Sequence, residues 1–341
     1  MWEIAEAPVG ANVYKARLVT QGFSQIPGVD YFDTYAPVAK LASIRTVLAI
    51  ANRNDLELHQ VDIKGTYLND LMGFERCQVD QAIFYRHRGT ALMIVVIHVD
   101  DYTIAVTIIS LIDNFKAQLH QHVEVTDLGT IHLSQQSYID SIMCRFNFDE
   151  LKPTSMPMET HVRLSTSQSP SSTTKIAAMC DVPYREAVGA MQWAALTTRP
   201  DISFSVSTVS RFSTNPGLVH WEAVKQIFRY LKAMRDLWLS YGGEEKEMVG
   251  YADADESMVE DCKAVSGYAF IIDGGAISWS SKKQEIVSLS TTESEYVAAT
   301  HAMKEALWLC SLITEILAPL TNSTTLFSDN QSAIALMKDH Q

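Results

Sequence analysis

The stretch ALMIVVIHVDDYTIAV, residues 91–106, decides how the first half of the chain is read. Two apolar, β-branched runs, Ala91 to His98 and Tyr102 to Ile108, flank Asp100 and Asp101. Runs of that kind around a short polar break predict two strands joined by a tight hairpin. Upstream, LELHQVDIK, ending at Lys64, predicts a further strand that carries Asp62 near its end. The run VYKARLV from Val13 is β-like, and SIRTVLAIANR, ending at Arg53, has a helical period. Helices are also expected from Ser110 to His120 and from Tyr138 to Phe146.

The composition shifts at Leu164 to Thr174, LSTSQSPSSTT, where Ser, Thr and Pro dominate and no apolar period survives; a flexible linker is expected. Beyond it, Tyr184 to Leu196 and Asp201 to Phe212 are helical in pattern. So is HWEAVKQIFRYLKAMRD (220–236), with Val224, Ile227, Phe228 and Leu231 as its buried stripe. From Met248 the order becomes three strands (VGYADA, SGYAFIID, AISWSS), a long helix from about Thr292 to Leu317, the strand TLFSDN and a helix begun by SAIALMKD.

At 341 residues with 47% apolar content, the chain is long enough for two or three domains and too apolar for wholesale disorder. Five cysteines, none in a C-x-x-C pair, exclude a disulfide framework and a zinc knuckle and suit a reducing compartment. MWEIAEAPVG lacks the basic and apolar regions of a signal peptide. The longest apolar stretch is broken by His98, Asp100 and Asp101, so no membrane span is expected. These features lead to the expectation of a soluble intracellular chain, cytoplasmic or nuclear. The net charge of −13 disfavours nucleic-acid binding as an average, although a local basic stripe coexists with acidic faces in many proteins.

Phosphoryl transfer needs divalent cations held by a few carboxylates. Asp62 at a strand end and Asp100–Asp101 at a hairpin tip suit that role on adjacent strands. Hairpin-tip acids are equally ordinary turn residues, and the pattern leaves both readings open. A second set of acids comprises Asp253 on a strand, Glu295 in the first turn of the long helix and Asp329 at a strand end. Acids at a helix N-terminus also simply complement its dipole.

Ordered motifs then narrow the field. YKARLVTQGFSQIPGVDYFDTYAPVAK followed by LHQVDIKGTYLND resembles the fingers and first palm motif of copia-type reverse transcriptases, and IVVIHVDD their second acidic motif, with His98 where Tyr is usual. GFERCQVDQAIFYR, LSQQSYIDSI, YREAVGAMQW, TTRPDISFSVSTVSRF, HWEAVKQIFRYLK, YADAD and SWSSKKQEIVSLSTTESEY continue the resemblance through nearly the whole chain. The resemblance implies a reverse transcriptase followed by ribonuclease H, working with Mg2+ or Mn2+ on an RNA template, an RNA–DNA hybrid and dNTPs. Asp62, Asp100 and Asp101 are then the polymerase metal acids, Tyr67 the aromatic that selects deoxynucleotides, and Lys15 and Arg17 finger residues at the triphosphate. Asp253, Glu295 and Asp329 are the ribonuclease H acids. Their neighbours Asp255 and Glu293 fit the family's register less well. Lys225, Arg229, Lys232 and Arg235, spaced +4, +3 and +3, suit tracking of a hybrid's phosphates or an ordinary solvated face.

The chain departs from its resemblance in ways that matter. Met72 runs directly into Gly73, where relatives carry a long segment with an LYGLKQAPR-like motif that grips template and nucleotide. A shorter stretch, of the type ELHYFLGIEI, is missing at Gly129–Thr130. The family's fourth ribonuclease H acid, in an H-I-D-like motif, lies beyond Gln341, so weak or no hydrolysis is expected. The expected fold is α+β: a depleted right-hand palm and fingers with a helical thumb-like region, then an incomplete ribonuclease H-like α/β domain. The expected boundaries are 1–72 (fingers, first palm motif), 73–158 (remaining palm), 159–182 (linker), 183–245 (thumb or connection) and 246–341 (ribonuclease H-like). A defective polymerase, a silent nucleic-acid-binding relic and a gene prediction that lost coding sequence remain alternatives.

Overall fold

The computed structural model describes residues 38–64, 73–98, 101–112, 115, 124–129, 134–159, 161–242, 247–255, 262–317 and 323–339. The expected runs from Val13, Lys15, Arg17, Tyr67, Asp100 and most of the Ser110–His120 helix lie outside them. The chain divides into two compact units, 1–36 and 37–341, and all described residues belong to the second.

Its architecture is α+β with two sheets. Helix α1 (Leu41–Arg53) leads into β1 (Glu57–Lys64); β2 (Glu75–Arg76), β3 (Ile83–Arg88), β4 (Ala91–His98), β5 (Asp101–Val106) and β6 (Glu124–Gly129) follow. These strands form one sheet in the order β2-β3-β4-β5-β1-β6, and all its pairs are antiparallel. The expected hairpin is β4–β5, with His98 opposite Asp101. Strand β4 is apolar from Ala91 to Ile97 because both of its faces are covered. Leu92, Ile94 and Val96 join one core, while Met93, Val95 and Ile97 join another with Tyr102, Ile104 and Ile112. Alternate side chains leave a strand on opposite sides, so a run buried on both sides loses the usual polar alternation.

Helices α2 (Gln136–Arg145), α3 (Thr173–Met179), α4 (Tyr184–Thr197), α5 (Ser203–Ser210) and α6 (Leu218–Ala233) come next. Val224, Ile227, Phe228 and Leu231, the expected stripe of α6, are fully buried against Ile139, Val188, Met191 and Val206. The Ser/Thr/Pro-rich segment carries local order. Ser165 accepts from Ser167 N at the start of a short 3-10 turn, Thr166–Gln168, and Ser172 caps α3. Hydroxyl groups that satisfy nearby backbone N–H groups build such turns without any apolar period.

The second sheet contains β7 (Val249–Asp255), β8 (Val265–Ile272), β9 (Gly275–Lys283) and β10 (Thr325–Phe327), with α7 (Thr291–Ile316) before β10 and α8 (Gln331–Lys338) after it. Its order is β10-β7-β8-β9. Strands β8 and β9 meet at Asp273–Gly274, where both residues have positive φ, 52° and 74°, as a two-residue hairpin turn requires. One core joins the two sheets: Val47 and Ile50 of α1 and Ile83 and Ile94 of the first sheet lie with Phe270 and Ile277 of the second and Leu309, Leu312 and Ile316 of α7. Polar ties cross the same boundary. Buried Arg45 donates through Nε to Ile277 O (2.7 Å) and through Nη1 to Leu196 O (2.8 Å) and Thr197 O (3.0 Å), with its guanidinium over Trp279. Glu315 accepts from the N–H groups of Gln78 (2.6 Å) and Val79 (3.1 Å).

Candidate metal centre

Three acids remote in sequence meet at one end of the second sheet. Strand β7 pairs in parallel with β10, Tyr251 opposite Phe327. Parallel strands advance together, so two residues further on Asp253 and Asp329 arrive side by side. Parallel pairing needs a crossover connection, and α7 supplies it by packing across β7 and β8. That crossover lays the first turn of α7, and Glu295 with it, over the end of β7. Ligand oxygens of Asp253, Glu295 and Asp329 all lie within 4.8 Å of one another; Asp253 and Asp329 are exposed and Glu295 is buried.

Local chemistry separates Glu295 from Glu293. Ser290 caps α7 by accepting from Glu293 N, and Glu293 Oε2 turns back to accept from Leu289 N (2.7 Å). Glu293 therefore secures the helix start. Glu295 points inward, and its Oε2 is buried without a hydrogen-bond partner. Burial pushes its carboxyl up to about 7, and the charges of Asp253 and Asp329 add to the shift; the backbone N–H of Ala254 pulls it down.

An arrangement of three crowded carboxylates, one of them buried with an unsatisfied oxygen, fits a hard divalent cation. The donor set is all oxygen, as Mg2+ or Mn2+ prefers. Asp253 borders a groove of about 450 Å³ with Phe204, Gly267, Tyr268 and Ser281. Its cross-strand partner is Gly267, so no side chain stands opposite it on β8.

The first acid set lies on the other sheet. In backbone register, Asp62 of β1 sits opposite Asp101 of β5 and Thr126 of β6. Asp101 is exposed and accepts from Gln60 Nε2 (3.1 Å). Of the four basic residues on and just beyond α6, three have partners within the fold, while Arg229 Nε is buried without a hydrogen-bond partner among the described residues. Lys225 pairs with Glu222, and Lys232 donates to the carbonyls of Asp149 and Leu151. Arg235 pairs with Asp140 and Asp236, and Arg229 borders a pocket with Glu159 and Gln226.

Sequence reasoning passed over the polar network around Gln284, behind Glu295, and the buried Arg199, held by Asp201 and Met234 O. A lone Gln beside two lysines looks like surface, and only its burial reveals otherwise. Among the described residues, no helix is long and apolar enough to cross a membrane.

The family described as reverse transcriptase (RNA-dependent DNA polymerase) matches residues 5–73. The chain is 35% identical over 394 aligned residues to the retrovirus-related Pol polyprotein from transposon TNT 1-94 of Nicotiana tabacum, covering 96% of this chain and 30% of that protein. It is 31% identical over 392 residues to the Pol polyprotein from transposon RE1 of Arabidopsis thaliana, covering 95% of this chain and 26% of the relative. It thus spans less than a third of either polyprotein. Both alignments are longer than the chain itself, so each relative carries positions within the matched span that have no counterpart here. A shorter match, 44% identical over 134 residues, is to secreted RxLR effector protein 161 of Plasmopara viticola, covering 38% of this chain and 94% of that protein. No solved structure matches.

Proposed function

The chain belongs to the copia-type retrotransposon Pol polyprotein family, and on that premise we propose that its second sheet carries a divalent-metal site of ribonuclease H type, directed at the RNA strand of an RNA–DNA hybrid. One observation carries the reading: Asp253, Glu295 and Asp329 converge from β7, α7 and β10 to within 4.8 Å. The sheet order β10-β7-β8-β9, three antiparallel strands with a parallel fourth reached through a crossover helix, supports it.

In this reading Asp253, which borders the groove, and Asp329 beside it would hold Mg2+ or Mn2+, while Glu295 closes the site from the helix side. A bound cation supplies neutralisation of phosphate charge and activation of a water. The proposed organisation keeps 1–72 as fingers and first palm motif, 73–158 as the remaining palm, 159–182 as a Ser/Thr/Pro-rich linker, 183–245 as the thumb- or connection-like helices and 246–341 as the ribonuclease H-like domain.

For the reverse-transcriptase half, the family match over residues 5–73 supports RT-type descent, and on the resemblance we take Asp62, Asp100 and Asp101 as the metal acids and Tyr67, Lys15 and Arg17 as residues at the nucleotide. We read that half as polymerase-defective. Met72 runs directly into Gly73 without the template-gripping segment that the resemblance implies there, and carboxylates without a held template do not reach an attack geometry. Lys225, Lys232 and Arg235 enter this reading only where their internal contacts open to a hybrid, and Arg229 only where it leaves the pocket it lines. A cytoplasmic or nuclear site of action is part of the proposal, and the five unbonded cysteines agree with it.

The test is Mn2+ binding to the full chain, followed by electron paramagnetic resonance. Binding that Mg2+ displaces, and that weakens in Asp253→Asn and Asp329→Asn, is expected. Unchanged Mn2+ affinity in a variant lacking all three acids would overturn the reading.

A further inference from the structure

We infer that Gln284 is a positioning residue for the proposed metal site, setting where Glu295 stands through the peptide that precedes it. This rests on the reading of Asp253, Glu295 and Asp329 as metal ligands.

Gln284 is the first residue after β9, and only 2% of it is exposed. Its backbone N–H extends the β8–β9 pairing by one rung, to Ala264 O at 2.8 Å, which holds its Cα against the sheet. From that anchor the side chain reaches across to the helix. Nε2 donates to Ser294 O at 2.9 Å and to Ser266 Oγ at 3.0 Å, while Oε1 accepts from Ser288 Oγ at 2.9 Å. Both amide hydrogens are used. The orientation of the amide is forced, because the carbonyl of Ser294 only accepts.

Each contact has a distinct partner element. Ser266 lies on β8, where it faces Ala254 of β7 in the register. Ser288 belongs to the loop between β9 and α7. Ser294 lies in the first turn of α7, fully buried, and its carbonyl forms one peptide unit with the N–H of Glu295. A single buried amide therefore ties the strand pair beside the acids to the peptide bond that carries Glu295. The capping of α7 by Ser290 and Glu293 fixes the helix start to its own loop only. Gln284 ties that start to the sheet bearing Asp253 through the main chain, beside the bond that the Glu295 carboxyl makes to the Ala254 N–H.

The consequence concerns geometry at the acids. Glu295 Oε2 has no hydrogen bond among the described residues, and the carboxyl's contacts are to the Ala254 N–H and Asp253 of β7 itself, so a shift of the Glu295 backbone moves the carboxylate relative to the strand that bears the site. Metal affinity depends steeply on ligand placement, and loss of a group that orients a ligand typically costs about 10–100-fold. Loosening the Gln284 amide should act in that range on the metal and much less on the fold, because the α7 core residues Ala298, Ala302 and Leu309 are untouched.

The experiment compares Mn2+ affinity in full-length Gln284→Met, Gln284→Glu and Ser266→Ala with the original chain and with Ser278→Ala. Ser278 serves as the control. It is buried on the same strand and bonds the same helix, through Glu305 Oε1 at 2.6 Å, but about 15 Å further along α7. Both Gln284 variants are expected to bind Mn2+ at least tenfold more weakly, Ser266→Ala a few-fold more weakly, and Ser278→Ala as the original does. Far-UV circular dichroism and urea unfolding report whether each variant is folded. Should Gln284→Met not fold, Ser266→Ala loosens the same amide by one hydroxyl group and decides the question. Absence of Mn2+ binding in the original chain would remove the metal-site reading itself. Binding there, with Gln284 and Ser266 variants unaltered, would overturn the positioning role alone. An equal loss in Ser278→Ala would also overturn it, by assigning the effect to general helix–sheet packing.

Discussion

Replacing Glu295 by Gln should make the metal-free protein more stable and abolish its response to metal. Glu295 is 7% exposed, and its Oε2 is buried without a donor beside two other carboxylates. Its folded pKa, raised from 4.5 to about 7, makes ionisation costly in the folded state. The sign follows from linkage: a carboxyl raised on folding costs nothing below its unfolded pKa, and its full penalty is reached once pH exceeds the folded value. At 1.36 kcal/mol per unit, that penalty at pH 8 is about 3 kcal/mol at most, and an unsatisfied buried group on general grounds costs about 1–3 kcal/mol. A Gln amide removes the charge and donates toward Asp253 or Asp329. In EDTA at pH 8, Glu295→Gln should therefore unfold at higher urea, by about 1–3 kcal/mol. At pH 4.5 the two proteins should converge. A ligand at one hundred times its Kd stabilises by about 2.7 kcal/mol, so saturating Mn2+ should lift the original chain to meet or pass the variant. Urea unfolding by circular dichroism measures both proteins under all three conditions. A variant no more stable than the original in EDTA at pH 8, or one stabilised equally by Mn2+, would refute the reasoning.

Arg45→Met should destabilise the chain by about 2–4 kcal/mol, since three carbonyls lose a charged donor inside the joint core; a change under about 0.5 kcal/mol in urea would show that the two sheets do not depend on it. Fully buried His220 is neutral at its ring, with Nδ1 accepting from Gly217 N (2.8 Å) and Nε2 donating to Ser165 O, and burial lowers its pKa below 6.5. Its contribution is present above pH 6.5 and lost as pH falls further, so the acid-side drop in urea midpoint should be shallower in His220→Gln. An identical slope in both proteins would contradict this. Primer extension on an RNA template with Mg2+ and dNTPs should be absent, and robust extension that vanishes in Asp100→Asn would reverse the polymerase-defective reading. Sequencing the transcript across Met72–Gly73 and Gly129–Thr130 should show either the same junctions or an intact intervening segment, the latter making the shortening a property of the gene prediction.

Much of this protein is decided locally and is therefore legible in one dimension. The apolar runs of β4 and β5, the buried stripe of α6 and the capped start of α7 follow from side-chain period and from hydroxyl and carboxylate groups beside a helix end. The acids at 62, 101, 253, 295 and 329 could be placed on a strand, at a strand or hairpin end, or in a first helical turn, because such placement depends on neighbours a few residues away. The site itself could not. That Asp329 stands beside Asp253 depends on the parallel register of β10 with β7, and that Glu295 closes over them depends on where the α7 crossover lands. The resemblance favours Glu295 over Glu293 by register alone; burial supplies the physical difference, with Glu293 at the cap and Glu295 among the acids. Gln284 carries no signal at all in its own neighbourhood. The joint core of the two sheets is likewise a tertiary result, because Arg45 and Ile277, or Gln78 and Glu315, are brought together by packing between segments that share no period. Periodicity reports which face of an element is apolar, and only the folded chain decides what that face meets.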